Sequence, residues 1–277
     1  MRQLTLAVVI AVTAGDASGW AQTSRDALRR CHALEAAAAQ DLDGAIAGCT
    51  AVIESAQFTA VERVDALRAR GILFRKTGRF DLALVDLTEV LRTSVGADDV
   101  FVQRGMTFAA LHETERALAD VNDAIRLNPS NTTALSQRAA INRQQGRYDD
   151  AVADLDRVVV MDPRDPWAAS ERGLAHFARH EYQLAADDFD RALALTPTSA
   201  WTIAYRGAAN LQLGRYDRAV ADLTRALELD EGDAWSLFVR GLAKQKAGDS
   251  AGAAADMAAA TQQWPDVSSA VAKTGLR

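Results

Sequence analysis

Small and apolar positions return along this chain every 34 residues, and each period reads as two helices joined by a turn. Six periods run without insertion, beginning at Val64, Asp98, Thr132, Pro166, Ala200 and Ala234 and closing at Val267. In the first helical stretch one position is always small: Gly71, Gly105, Ala139, Gly173, Gly207 and Gly241. A second small column, Ala83, Ala117, Ala151, Ala185, Ala219 and Ala253, falls in the following stretch. Glycine inside a helix costs up to ~1 kcal/mol relative to alanine. Its return at one phase in five of six periods therefore predicts close contact between antiparallel helices, at the short end of the ~8 to 10 Å interaxial range. Between the columns stands a breaker, Gly78, Gly146, Gly214 and Gly248, with His112 and His180 in the other two periods. Pro129, Pro163, Pro197 and Pro265 end the second stretch, because proline disfavours helical geometry in the residue before it; Val95 and Glu231 stand at that phase elsewhere.

An aromatic follows the breaker at Phe80, Tyr148, Tyr182 and Tyr216, with Thr114 and Ser250 departing. Small residue, turn, aromatic, alanine and terminal proline at these spacings resemble the tetratricopeptide repeat family over residues 64–267. The resemblance implies an all-α fold, a right-handed superhelical solenoid of antiparallel helix hairpins. It also implies that the first helices line a concave surface for extended peptides or partner helices.

The flanks extend this reading. Residues 22–63 form a degenerate first hairpin, since Asp43-Gly44-Ala45-Ile46-Ala47 aligns with Asp149-Asp150-Ala151-Val152-Ala153. Ala45 precedes Ala83 by 38 residues, which leaves four extra residues before Val64. Residues 268–277 hold a short capping helix, Ser268 to Lys273, stopped by Gly275 and placed to cover the apolar face of the last hairpin. Residues 1–21 read as a secretory signal: Arg2, an apolar run from Leu4 to Ala14, and small residues around Trp20. The apolar run is about half the ~20 residues that a spanning helix needs, so no stable membrane span is expected after cleavage. The expected location is periplasmic or secreted.

One charged column is as regular as the small ones. Arg70, Arg104, Arg138, Arg172, Arg206 and Arg240 each precede the small residue, and Asp86, Asp120, Asp154, Asp188, Asp222 and Asp256 stand sixteen residues on. The turn lies midway, so each pair is expected to meet across its hairpin as a structural ion pair. Cys31 and Cys49 are the only cysteines, lie nearly equidistant from the turn of the degenerate hairpin, and are expected to form a structural disulfide in an oxidising compartment.

The chemistry of catalysis is thin. His176 and His180 stand four apart, a metal-holding spacing, yet no third ligand or HExxH, phosphate loop or serine elbow accompanies them, and His180 reads as a turn residue. No cofactor, metal or catalytic residue is expected. A formal net charge of -6 excludes a basic field for nucleic acid.

Trp167, Trp201 and Trp235 recur at the repeat period at the start of first helices, and Tyr205 lies one turn after Trp201, where Glu171 and Val239 stand in the neighbouring units. These aromatics either pack on the preceding hairpin or anchor a partner, and their exposure separates the two. The family's Lys/Asn/Arg clamp for a terminal carboxylate does not appear: Arg68, Arg75 and Lys76 lack a following Asn. The chain is thus expected to be a non-catalytic interaction scaffold of the bacterial envelope that binds a protein or peptide on its concave face. The alternative is an accessory or regulatory subunit of an envelope enzyme or assembly machine.

Overall fold

A computed structural model describes residues 26–31, 41–93 and 97–276. The signal-peptide expectation falls on residues outside these. All regular structure among the described residues is helical, and the chain divides into two compact units, one ending at Leu127 and the other starting at Asn128. The expected uninterrupted array is therefore described as two bodies.

In the first unit, α1 (residues 26–31) precedes α2 (Leu42–Glu54), α3 (Ala60–Lys76), α4 (Phe80–Thr93), α5 (Asp98–Ala110) and α6 (Thr114–Leu127). A disulfide joins Cys31 to Cys49, and α2 lies so close to α1 that a Cβ on Gly48 would stand 2.8 Å from the Cβ of Arg30. The four extra residues before Val64 lengthen α3 by one turn. Thr59 caps it: its hydroxyl accepts from the Glu62 amide, and the Glu62 carboxylate accepts from the Thr59 amide at 2.7 Å.

The second unit holds α7 (Thr132–Gln144), α8 (Tyr148–Met161), α9 (Pro166–Ala178), α10 (Tyr182–Leu195), α11 (Ala200–Gln212), α12 (Tyr216–Leu229), α13 (Ala234–Ala247), α14 (Ser250–Gln263) and α15 (Val267–Lys273). Each odd-numbered helix from α7 to α13 packs on the helix that follows it, and these first helices also touch one another in order, so they share one face. The capping helix α15 packs on α13 and α14, and its first residue, Val267, is fully enclosed.

Within the hairpins the small columns mark the tightest approach. A Cβ added at Gly173 would lie 2.8 Å from Cε1 of Phe189, and one at Gly71 would lie 2.8 Å from Cγ of Leu87. Each turn is closed by the same pair of amides whether its residue is glycine or histidine. At Gly146, Arg147 donates to the Asn142 carbonyl at 2.8 Å; at His180, Glu181 donates to the His176 carbonyl at 2.9 Å. His112 and His180 thus adopt φ values of 60° and 61°, the left-handed region that favours glycine.

The arginine column ties the hairpins together. In the first unit Nε and Nη2 of Arg70 donate to Asp86 at 2.7 and 2.9 Å, and those of Arg104 donate to Asp120 at 2.7 Å each. In the second, Arg138 meets Asp154, Arg172 meets Asp188, Arg206 meets Asp222 and Arg240 meets Asp256 in the same two-pronged way, at 2.5 to 3.1 Å. The third prong, Nη1, reaches back to the preceding hairpin. Arg70 bonds Thr50, Arg104 bonds Thr88, Arg172 bonds Asp156, Arg206 bonds Asp190 and Arg240 bonds Thr224. One guanidinium therefore holds both its own hairpin and the one before it.

Candidate functional site

The periodic tryptophans sit in the first turns of first helices, and in α9 and α13 an aspartate caps that turn, whereas Ser199 before α11 makes no such bond. Asp165 accepts from the amides of Trp167 and Ala168 at 2.9 and 3.2 Å, with Pro166 occupying the first turn; Asp233 accepts from those of Trp235 and Ser236 at 3.0 and 3.2 Å. Trp167 is 38% exposed and Trp201 42% exposed, whereas Trp235 is partly buried against the core.

Tyr205 is the centre of the aromatic cluster. Its ring lies 5.0 Å from Trp235, 5.9 Å edge-on from Phe177, 6.3 Å from Phe189 and 6.3 Å edge-on from Trp201. Edge-on and offset geometries are the favoured ones, because they set ring edges against negative faces. Burial pushes the Tyr205 phenol above its ordinary range; Arg143 opposes the shift, while Asp233 and Glu171 add to it. The structure thus gathers Trp201, Tyr205 and Trp235 but leaves Trp167 without a ring contact among the described residues.

Beside this cluster opens a cavity of about 840 Å³, lined mainly by α7, α9 and α11, by Tyr148 and Tyr182 at the starts of α8 and α10, and by the end of α15 with the two residues after it. Phe177 and Tyr205 form part of its wall, and Tyr182 stands edge-on to Phe177 at 5.3 Å. The Tyr182 hydroxyl and Nδ1 of His180 are 2.7 Å apart. Arg143 also lines the cavity; its Nε donates to Glu171 at 2.9 Å. The far side is Ala272 to Gly275. Leu276, 2% exposed, and Val271 pin that segment into the core. Glycine suits 275, where φ is +83° and a Cβ would lie 3.1 Å from Cε1 of His180.

Arg143, Tyr148, Tyr182 and Lys273 of this wall escape sequence reasoning as site residues. The two tyrosines read as the aromatic that follows each turn, and neither cation stands in a periodic column. The histidines have structural partners. His176 is buried, with Nδ1 2.6 Å from Glu181 and Nε2 3.8 Å from Asp188, and His180 occupies the turn. No group of three metal-ligating side chains occurs among the described residues, and no described helix is long and apolar enough to cross a membrane.

Residues 102–166 and 142–200 match one tetratricopeptide repeat model, and residues 206–233 match a second. No curated protein is detectably similar in sequence. Among solved structures, a tetratricopeptide repeat protein from Parabacteroides merdae is 21% identical, with 91% of this chain and 99% of that one covered at a TM-score of 0.64. PilF of Pseudomonas aeruginosa is 18% identical over 73% of this chain and 92% of its own, at 0.66. YrrB, described as a tetratricopeptide repeat protein with an unusual peptide-binding site, is 18% identical over 65% and 93%, at 0.57. At such identities the likeness carries the fold. With its repeats matched by the family's models and its hairpins packed in consecutive pairs, the chain belongs to the tetratricopeptide repeat family.

Proposed function

We propose that this protein is a non-catalytic interaction scaffold that holds a partner peptide or protein against the first-helix face of its second unit. The aromatic cluster around Tyr205, beside an open cavity of about 840 Å³, carries the reading. Large aromatic side chains supply much of the binding energy at grooves, since they bury area at little entropic cost. Trp201 in particular holds its edge-on contact with Tyr205 while keeping 42% of its surface open. Tetratricopeptide repeats as a class serve as binding surfaces, and the peptide-binding description of YrrB is in keeping with this at the level of the fold.

The same proposal places the protein in the bacterial envelope. The Cys31–Cys49 disulfide supports that location, because disulfides persist in oxidising compartments and are rare in the cytosol. Photo-cross-linking in cells tests both parts. A photoreactive amino acid replacing Trp201 is expected to yield adducts from the envelope fraction, and one replacing the 80% exposed Val160 of α8 is not. Adducts from Val160 alone, or protein recovered only from the cytosol with free thiols, would overturn it.

A further inference from the structure

The charge of the cavity runs against the charge of the protein. The whole chain carries a formal net charge of -6, with 37 acidic and 31 basic side chains. No carboxylate side chain lines the cavity, while Arg143 and Lys273 both do. The two cations come from the first helix of the unit and from the segment after its last repeat, so different elements bring them to one opening. Arg143 is ion-paired through Nε with the buried Glu171 at 2.9 Å, which holds its guanidinium at the wall. Lys273 is exposed and has no ion-pair partner among the described residues. Around them stand Phe177 and the phenols of Tyr148, Tyr182 and Tyr205, which offer ring faces and hydroxyls beside the cations.

We infer that the cavity binds an acidic segment of a partner polypeptide, with Arg143 and Lys273 receiving two of its carboxylate side chains, and that the C-terminal segment is part of the binding site. Two cations on separate elements suit carboxylates spaced along a chain better than the single carboxylate of a chain end. The pinned Leu276 and the close approach of Gly275 to His180 hold the backbone of Lys273 at the rim before any ligand arrives, so binding has the side chain left to order and not the segment. This assignment rests on the peptide-groove reading given above.

A random dodecapeptide display library panned on the full, oxidised protein tests it. The pool recovered on the natural protein is expected to be enriched in Asp and Glu over the input. A selected acidic peptide is expected to bind Lys273→Glu roughly tenfold more weakly, and to weaken likewise as salt rises. Enrichment without acidic bias would overturn the ligand class and leave the groove standing. An acidic bias unchanged in both Lys273→Glu and Arg143→Gln would overturn the placement. A library from which nothing is enriched would overturn the groove reading as well. Lys273 is exposed, so its variant keeps the fold, and Arg143→Gln gives a second, independent reading.

Discussion

The two units carry the same arginine column but set it in different surroundings, and the residue four positions after each arginine makes the difference. In the first unit it is Phe74 or Phe108, and the guanidinium of Arg70 or Arg104 packs over that ring at 5.6 or 5.8 Å. In the second unit the same position holds Asn142, His176, Asn210 and Lys244. Asn210 donates to Asp222 at 3.0 Å, and the Lys244 ammonium lies 2.9 Å from Asp256. His176 approaches Asp188 at 3.8 Å. One unit shields its ion pairs with apolar surface, and the other extends them into polar networks. A repeat thus keeps its geometry while the chemistry of its interior changes, provided each buried carboxylate stays partnered.

The sharpest test compares the aspartates. Asp86→Ala leaves Arg70 with only the neutral Thr50 hydroxyl and a phenyl face, so a loss of about 3–5 kcal/mol is expected, as for other broken buried pairs. Asp188→Ala should cost less, because Arg172 keeps Asp156 at 2.8 Å. Urea denaturation with hydrogen exchange to localise the change would check this. An equal or larger loss at Asp188 would break the comparison.

A smaller effect is expected from Asn210→Leu. The substitution removes the amide that Asp222 accepts from, and local opening of α11 and α12 should become easier by about 1–2 kcal/mol in hydrogen exchange. No loss there would mean that the polar position is merely tolerated.

The smallest effect concerns acid. Burial alone would raise the Asp256 carboxyl, but hydrogen bonds from Arg240 and Lys244 outweigh it and hold the group below its ordinary 3.8. Since the folded value lies below the unfolded one, the stabilisation is complete above 3.8 and is lost as pH falls through the folded value. Lys244→Gln should shrink that acid-side loss, as followed by carboxyl NMR of Asp256 and by melting of the last hairpin. A profile identical to the natural protein's would remove Lys244 from the network.

The helical hairpins were legible because their determinants repeat: Gly173 must be small to admit Phe189, and the same need recurs one period away at Gly207 against Leu223. The two-pronged ion pairs fall on columns of invariant type, so spacing alone displays them. Their third prong was hidden, since its acceptor alternates between threonine and aspartate at Thr88, Asp156, Asp190 and Thr224. The candidate site was half visible. Trp201 and Trp235 stand in a periodic column and Tyr205 one turn after the first of them, but the cavity wall formed by Ala272 to Gly275 depends on where a nonperiodic tail folds back, which no repeat column records.

The arginine forks also bear on how such a chain can change length. A guanidinium that grips its own hairpin and the preceding one gives the junctions within a unit one common plan, for each added period brings its own aspartate and offers a threonine or aspartate acceptor to the next arginine. Whole periods can therefore be gained or lost with all charges still matched. A cut inside a period strands a buried ion, so growth by duplication of complete 34-residue blocks is the path of least electrostatic resistance.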